Sequence, residues 1–203
     1  MIDKHTKHLL TGAKRGFELM DERNPAEALK VFREVLIEAR KAGIESANLL
    51  WGVAVASDYT GELEMAFENV TAALALDPLA GPIHHSFEVI TRRIREALAA
   101  PERVADDPST PRLYAILVGA GEAEVESHTA MARYHLATGN VPAAAAIVGA
   151  AALLYPASKA AWDAKAAVAT ALGDAEGAEL ARIEGVAAGA ASMPFTAPGG
   201  ARA

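Results

Sequence analysis

The chain has 203 residues, of which 52% are hydrophobic and only 5% are aromatic. Alanine, leucine and glutamate are abundant and runs of β-branched residues are scarce, which favours an all-α fold over a β-sandwich. The net charge of −7 argues against a general binder of nucleic acids or anionic membranes. The absence of cysteine excludes disulfides, cysteine-ligated metal centres and a cysteine nucleophile.

The N-terminal stretch mixes charges throughout and has no apolar segment of the kind found in secretory signals, so a cytoplasmic location is expected. Downstream, NPAEALKVFREVL carries Ala28 and Phe32, and Gly16 lies twelve residues before Ala28. A small residue midway along a helix allows an antiparallel neighbour to come close. The pattern therefore predicts two closely packed helices.

A glycine pattern recurs along the chain with a period of about 34 residues. The pattern Gly-(Glu/Asn/Asp)-x-x-x-Ala begins at Gly61, Gly139 and Gly173. The last two are one such period apart, and the first two are separated by two periods plus a ten-residue insertion. Pro78 and Pro156 each follow the alanine of their unit by twelve residues. A glycine that closes a turn and a proline that stops a helix indicate helix–turn–helix units.

The stretch between residues 81 and 124 departs from this pattern. GPIHHSFEVITRRIREALAA predicts an amphipathic helix, and RLYAILVGAG predicts a shorter apolar one. The face of the first helix is Ile83, Phe87, Ile90, Ile94 and Leu98. APERVADDPSTP between them predicts a loop, so this is a degenerate hairpin with about ten extra loop residues.

The most apolar segment is LATGNVPAAAAIVGAAALLYP, residues 136–156. Only thirteen residues lie between Pro142 and Pro156, too few for a membrane span. We expect a short second helix of a late unit, apolar all round because neighbours cover both flanks. The composition of residues 189–203 predicts a flexible tail.

The phased units resemble the tetratricopeptide repeat, a helix–turn–helix unit of about 34 residues. Trp162 stands at the family's aromatic first-helix position. The resemblance implies an all-α, right-handed solenoid of about five antiparallel helical hairpins in a single domain, residues 1–188. The implied hairpins are 9–42, 47–80, the degenerate 81–124, 125–158 and 159–192.

In this family, first-helix side chains line a concave surface that binds peptides or helices. Carried over, that surface is aromatic with a basic side and suits a helical or extended segment bearing acids. Its residues are Lys14, Phe17, Asn48, Trp51, Val55, Tyr59, His85, Arg92 and Arg133. The alternative is that the three aromatic residues only pack between repeats.

The family's Lys/Asn clamp for C-terminal carboxylates is not matched here. Its positions hold Ala13, Phe17, Gly52, Glu126 and Ala130. His84 and Glu88 have a metal-chelating spacing, and His128 and His135 share a helix face, but no third ligand has a supporting spacing. We therefore predict no metal and no cofactor.

The expected function is a non-enzymatic adaptor that binds another protein through a helical or extended segment, with neither nucleic acid nor membrane insertion. One alternative is a cytoplasmic secretion-type chaperone for a single partner. Another is a metal-binding or small-ligand-binding enzyme on the helical scaffold. Self-association into a homodimer is also open, because uncapped apolar terminal repeats can associate.

Overall fold

Ten α-helices account for most of the described chain. The structure is a computed structural model that describes residues 4–100 and 105–191. Its helices are α1 (Lys4–Asp21), α2 (Pro25–Lys41), α3 (Ala47–Tyr59), α4 (Leu63–Leu76), α5 (Gly81–Ala99), α6 (Thr110–Gly119), α7 (Val125–Ala137), α8 (Val141–Leu154), α9 (Lys159–Ala171) and α10 (Ala175–Ala191). Because these two ranges contain no strand, the predicted all-α class is confirmed. The remainder of the segment for which a flexible tail is predicted, residues 192–203, lies outside the described residues.

The helices fall into two compact units, which divide between Glu96 and Ala97. In the first unit α1 packs against α2, α3 against α4, and α3 also contacts α1 and α2. In the second unit α7 packs against α6, α8 and α9, and α9 also contacts α8 and α10. Four helix pairs thus form hairpins, namely α1 with α2, α3 with α4, α7 with α8 and α9 with α10. Within each unit one hairpin contacts the next, which is how stacked helical repeats bury their apolar faces.

Local sequence signals explain where several helices begin and turn. The side chains of Asn24, Ser46 and Asn140 accept hydrogen bonds from backbone N–H groups in the first turns of α2, α3 and α8. Gly139 and Gly173 both have φ of 77°, the left-handed conformation that a glycine adopts without strain. The predicted glycine-closed turns of the late hairpins are therefore confirmed.

The core of the first hairpin is built around Phe32. Its ring is completely buried between α1 and α3. A Cβ atom placed on Gly16 would lie 2.4 Å from the Phe32 ring, and one on Gly52 would lie 2.7 Å from it. Both glycines therefore let neighbouring helices approach the phenyl ring, which confirms the close helix packing predicted from Gly16, Ala28 and Phe32.

We expect Gly16→Ala to lower the free energy of unfolding by about 1–3 kcal/mol, because the added methyl group overpacks against Phe32. Gly149→Ala in α8 is the matched control, since a Cβ there meets no atom within 4 Å. The better helix propensity of alanine should raise stability by up to about 1 kcal/mol in that variant. Urea unfolding followed by circular dichroism compares the two. Equal destabilisation of both variants would contradict the close approach at Gly16.

The predicted burial of the apolar residues agrees with the structure for α5 and differs from it for α8. In α5, Ile83, Ile90, Ile94 and Leu98 are all buried, and Phe87 is half-buried. The predicted amphipathic face is therefore confirmed.

The second helix, α8, spans the apolar segment as predicted, but the expectation that neighbours cover both of its flanks was wrong. Leu153 is 84% exposed and Leu154 is 64% exposed. The physical reason is that α8 packs against α7 and α9 through one side only, which carries Ala144, Val148 and Ala151. Within the described ranges, no helix combines the length and apolar character needed to cross a membrane.

Candidate partner-binding surface

The first helices of successive hairpins lie side by side in the first unit. The ring of Phe17 in α1 is 5.7 Å from the ring of Trp51 in α3, one repeat period later in the sequence. The indole Nε1 of Trp51 donates a hydrogen bond of 2.9 Å to Ser86 Oγ in α5, which is close to one further period along the chain. Equivalent positions therefore form rows that cross α1, α3 and α5 at the period predicted from the sequence.

Most of the predicted binding residues of the first unit lie in these rows with part of their surface free. The charged and amide side chains are exposed, Tyr59 is 64% exposed, and the remaining aromatic and apolar residues are half-buried. We define the first-helix surface as Lys14, Phe17, Asn48, Trp51, Val55, Tyr59, His85 and Arg92.

Phe17 and Trp51 are partly used for packing between hairpins. Phe17 meets Phe32 edge to face at a centroid distance of 4.9 Å and also contacts Trp51. Trp51 donates its indole N–H to the hydroxyl oxygen of Ser86. Both half-buried rings therefore help to hold α1, α3 and α5 together. Tyr59 is the aromatic side chain of this surface with the largest free area.

The arginine beside Tyr59 is Arg93, a residue that the sequence analysis did not assign to the surface. Its guanidinium lies 6.0 Å from the Tyr59 ring centroid, and its Nη1 lies 2.9 Å from Asp58 Oδ2. Arg92, the residue chosen from the sequence, is 63% exposed and lies 3.7 Å from Glu96. The signal for Arg93 was its spacing, because it follows Tyr59 by one repeat period.

Asp58 gives Arg93 a structural role. The carboxylate is only 7% exposed, and its Oδ1 atom is buried with no hydrogen-bond partner in the described structure. Its Oδ2 atom and its backbone carbonyl both contact Arg93. Because a buried carboxylate is costly without an opposite charge, Arg93 holds α5 against the end of α3. Arg92, in contrast, lies near the exposed carboxylate of Glu96.

The second unit contributes Arg133, which is exposed on α7. Nearby in sequence, His128 of α7 is buried in an aromatic cluster with Tyr114 of α6 and Tyr155 at the end of α8. The Tyr114 hydroxyl and His128 Nδ1 are 2.8 Å apart, and Tyr155 donates to the carbonyl oxygen of Ala123 at 2.7 Å. The role of His128 in the structure is therefore to join α6, α7 and α8.

Burial shifts the titration of this cluster towards its neutral form. It lowers the pKa of His128 and, together with the nearby Tyr155, raises the pKa of Tyr114. A neutral His128 with its proton on Nε2 accepts the Tyr114 hydrogen bond through Nδ1. The second unit therefore gains stability from an uncharged imidazole.

We expect the second unit to lose stability as the pH falls below about 6.5, the ordinary pKa of histidine in an unfolded chain. The sign follows from the lowered pKa of His128, because the unfolded state then binds the proton more readily than the folded state. Urea unfolding followed by Trp162 fluorescence in a Trp51→Phe background measures the effect. His128→Gln should remove this pH dependence, whereas His135→Gln should retain it. Identical pH profiles for wild type and His128→Gln would contradict the assignment.

Two other histidines, His84 and His135, contact residues close to them in sequence. His84 Nε2 lies 2.8 Å from the carbonyl oxygen of Pro78, and the His135 ring packs edge to face on Tyr134 at 5.7 Å. Among the described residues, no three side chains of the metal-binding types come together.

Comparisons with known proteins add similarities of fold. Neither a protein-family model nor a curated protein sequence gives a significant match. Among solved structures, MamA MSR-1 C2 is 14% identical, with 92% of this chain and 99% of that chain covered and a TM-score of 0.43. TTC0263, a thermophilic TPR protein in Thermus thermophilus, is 16% identical over 91% and 93% of the two chains, with a TM-score of 0.40.

YrrB, titled a TPR protein with an unusual peptide-binding site, is 13% identical over 94% of this chain and 95% of its own, with a TM-score of 0.41. The assignment of this chain stands on its own helices. They pair into hairpins, glycines close the late turns, and first helices contact each other one period apart. The protein has an all-α fold of stacked helical hairpins, which is similar to the tetratricopeptide repeat.

Proposed function

We propose that this protein is a non-enzymatic adaptor that holds a helical or extended segment of another protein on its first-helix surface. The observation that carries this proposal is the row structure of α1, α3 and α5. Phe17, Trp51 and Ser86 lock the register of the three helices, so the exposed side chains beside them are presented at fixed spacing. A helix arrangement that is already in place before binding loses little backbone entropy when a partner binds.

The charges of this surface favour an acidic segment. Lys14 and Arg92 lie on it and are 80% and 63% exposed. Their present partners, Glu18 and Glu96, are exposed as well, and such surface pairs contribute little. Each cation can therefore exchange its intramolecular carboxylate for one of the partner at low cost. In the second unit, exposed Arg133 offers a separate contact of the same kind.

Tyr59 is the residue to test first, because its side chain is 64% exposed, whereas Phe17 and Trp51 are half-buried and also support the fold. We expect Tyr59→Ala to raise the Kd for the partner by about tenfold or more, the effect of removing an aromatic anchor. Partners are captured from the native host's lysate, identified by mass spectrometry and measured by calorimetry. Leu79→Ala, which removes a 92% exposed side chain outside the first-helix surface, is the matched control.

Suppose that a partner binds wild type and Tyr59→Ala with equal affinity but binds a variant outside the first-helix surface more weakly. That result would place the binding site elsewhere. Circular dichroism of each variant checks that helix content is unchanged. Asn48→Ala tests the same surface one turn from Trp51 and should weaken the same partner. Unaltered binding by both variants would contradict the proposed surface.

Self-association is the second candidate, because the end of α8 carries two adjacent leucines that are 84% and 64% exposed. Apolar side chains grouped at a surface favour burial against another chain. Light scattering on the purified protein measures the molar mass. A dimer that Leu153→Asp converts to a monomer would support this candidate, and a monomer in the wild type would remove it.

A further inference from the structure

The guanidinium of Arg93 has one nitrogen atom tied to the fold and two that are not. Its Nη1 lies 2.9 Å from Asp58 Oδ2 and donates to the backbone carbonyl oxygen of Asp58 at 3.1 Å. A guanidinium has five N–H donors, so three remain on Nε and Nη2. Within residues 4–100 and 105–191, no acceptor takes a hydrogen bond from these three donors, and the Arg93 side chain is 43% exposed.

Asp58 fixes the direction of the remaining donors. Because the guanidinium is planar, two contacts at Nη1 also set the orientation of Nε and Nη2. One N–H of each points in the same direction, and this parallel pair matches the two oxygens of a carboxylate. Arg93 therefore presents a fork of donors that is oriented before any partner binds.

Tyr59 places an aromatic ring next to this fork. Its ring centroid lies 6.0 Å from Arg93 Cζ, and the residue is 64% exposed. Tyr59 in α3 and Arg93 in α5 are one repeat period apart, so they belong to the same row of the first-helix surface. A partner residue bound at the fork would thus have an apolar contact beside it.

The charges around the fork balance, so net charge alone does not select a partner. Arg93 faces Asp58, and Arg92 faces Glu96. The selection comes instead from exposure, since Asp58 is 7% exposed whereas the Arg93 side chain is 43% exposed. A group that arrives from solvent meets the donors of this ion pair and not its carboxylate.

On the basis of the proposed function, we infer that Arg93 determines which partner segments the first-helix surface accepts. Its Nε and Nη2 bind the carboxylate of an aspartate or glutamate of the partner, and a neighbouring apolar residue of the partner packs on Tyr59. A two-point contact of this kind is stronger and more selective than a single exposed ion pair. Arg92, the cation assigned from the sequence, has an exposed partner only and no buried carboxylate to orient it.

A display library of random peptides, selected on the full chain, supplies the probes. The peptides retained are those whose Kd rises about tenfold or more for Tyr59→Ala, which tests the proposed function itself. In each retained peptide, every aspartate or glutamate is then replaced in turn by asparagine or glutamine. We expect one of these replacements to weaken binding to the wild-type protein by about tenfold, because the amide offers a single acceptor oxygen.

Variants of the protein show which arginine binds that carboxylate. The double variant Asp58→Asn/Arg93→Met has no charge at this place, so the same peptide replacement should weaken its binding by less than about twofold. Arg92→Met is the matched control and should keep the tenfold effect. Arg93→Lys keeps the charge beside Asp58 but lacks the fork, and the effect should fall to about threefold. This variant carries the test if circular dichroism shows the double variant to be unfolded.

The outcomes separate the role of Arg93 from the proposed function. Peptides that depend on Tyr59, but on no acid coupled to Arg93, would overturn the role of Arg93 and leave the adaptor surface in place. An acid whose effect disappears in Arg92→Met and persists in Arg93→Lys would overturn it as well. If no selected peptide depends on Tyr59, the first-helix surface is not the binding site, and both proposals fail together.

Discussion

Phe32→Ala is expected to lower the free energy of unfolding of the first unit by about 3–5 kcal/mol, the range measured for truncating a large buried aromatic side chain. The ring is completely buried and has Gly16 and Gly52 packed on its two sides. Glycines have no side chain that could move into the space, so the cavity would remain largely open. Phe17, which packs edge to face on the ring, would also lose its support.

The measurement should report the first unit alone. Trp51 lies in the first unit and Trp162 in the second, so a Trp162→Phe background leaves Trp51 as the only fluorophore of its kind. Leu79→Ala is the control, because that side chain is 92% exposed and its loss should cost less than about 0.5 kcal/mol. If Phe32→Ala and Leu79→Ala had the same midpoint of unfolding, the packing described for this hairpin would be wrong.

Arg93→Met should destabilise the first unit by about 2–3 kcal/mol, whereas Arg92→Met should change it by less than about 0.5 kcal/mol. The two arginines are neighbours in sequence, but only Arg93 contacts the buried carboxylate of Asp58. Without Arg93, that carboxylate stays buried with no opposite charge. Arg92 instead forms an exposed ion pair with Glu96.

A second substitution separates the charge effect from lost packing. Adding Asp58→Asn to Arg93→Met removes the uncompensated charge, so part of the lost stability should return. Unfolding of the single and double variants, followed through Trp51, measures this coupling. If Arg92→Met and Arg93→Met proved equally destabilising, the structural distinction between them would be wrong.

The helices could be predicted from the sequence because glycines and prolines mark their ends. Pro142 and Pro156 bracket α8 to within two residues, and the isoleucines of α5 lie on its buried side as the 3.6-residue period requires. The exposure of Leu153 could not be predicted in this way. An apolar segment shows that a helix can be buried, but which side a neighbour covers depends on the stacking of the hairpins.

The repeat period predicts which residues of α1, α3 and α5 lie in one row of the first-helix surface. It does not predict which side chains contact each other. Adjacent residues on a helix point about 100° apart, so the choice between Arg92 and Arg93 depends on where Asp58 lies. The contact of Tyr114 with His128 had no signal in the sequence, since these residues belong to different helices with no repeat spacing between them. Partner binding by the surface stays a prediction.

The contacts between first helices also bear on how the chain folds. Trp51 reaches Ser86 and Arg93 reaches Asp58 across little more than one repeat period each. Loops of this length are inexpensive to close, and chains dominated by such short-range contacts fold quickly. Synthesis delivers residues at roughly 5–20 per second, so the next hairpin follows within seconds. Each hairpin of the first unit can therefore find its lasting neighbours while the ribosome is still making the rest of the protein.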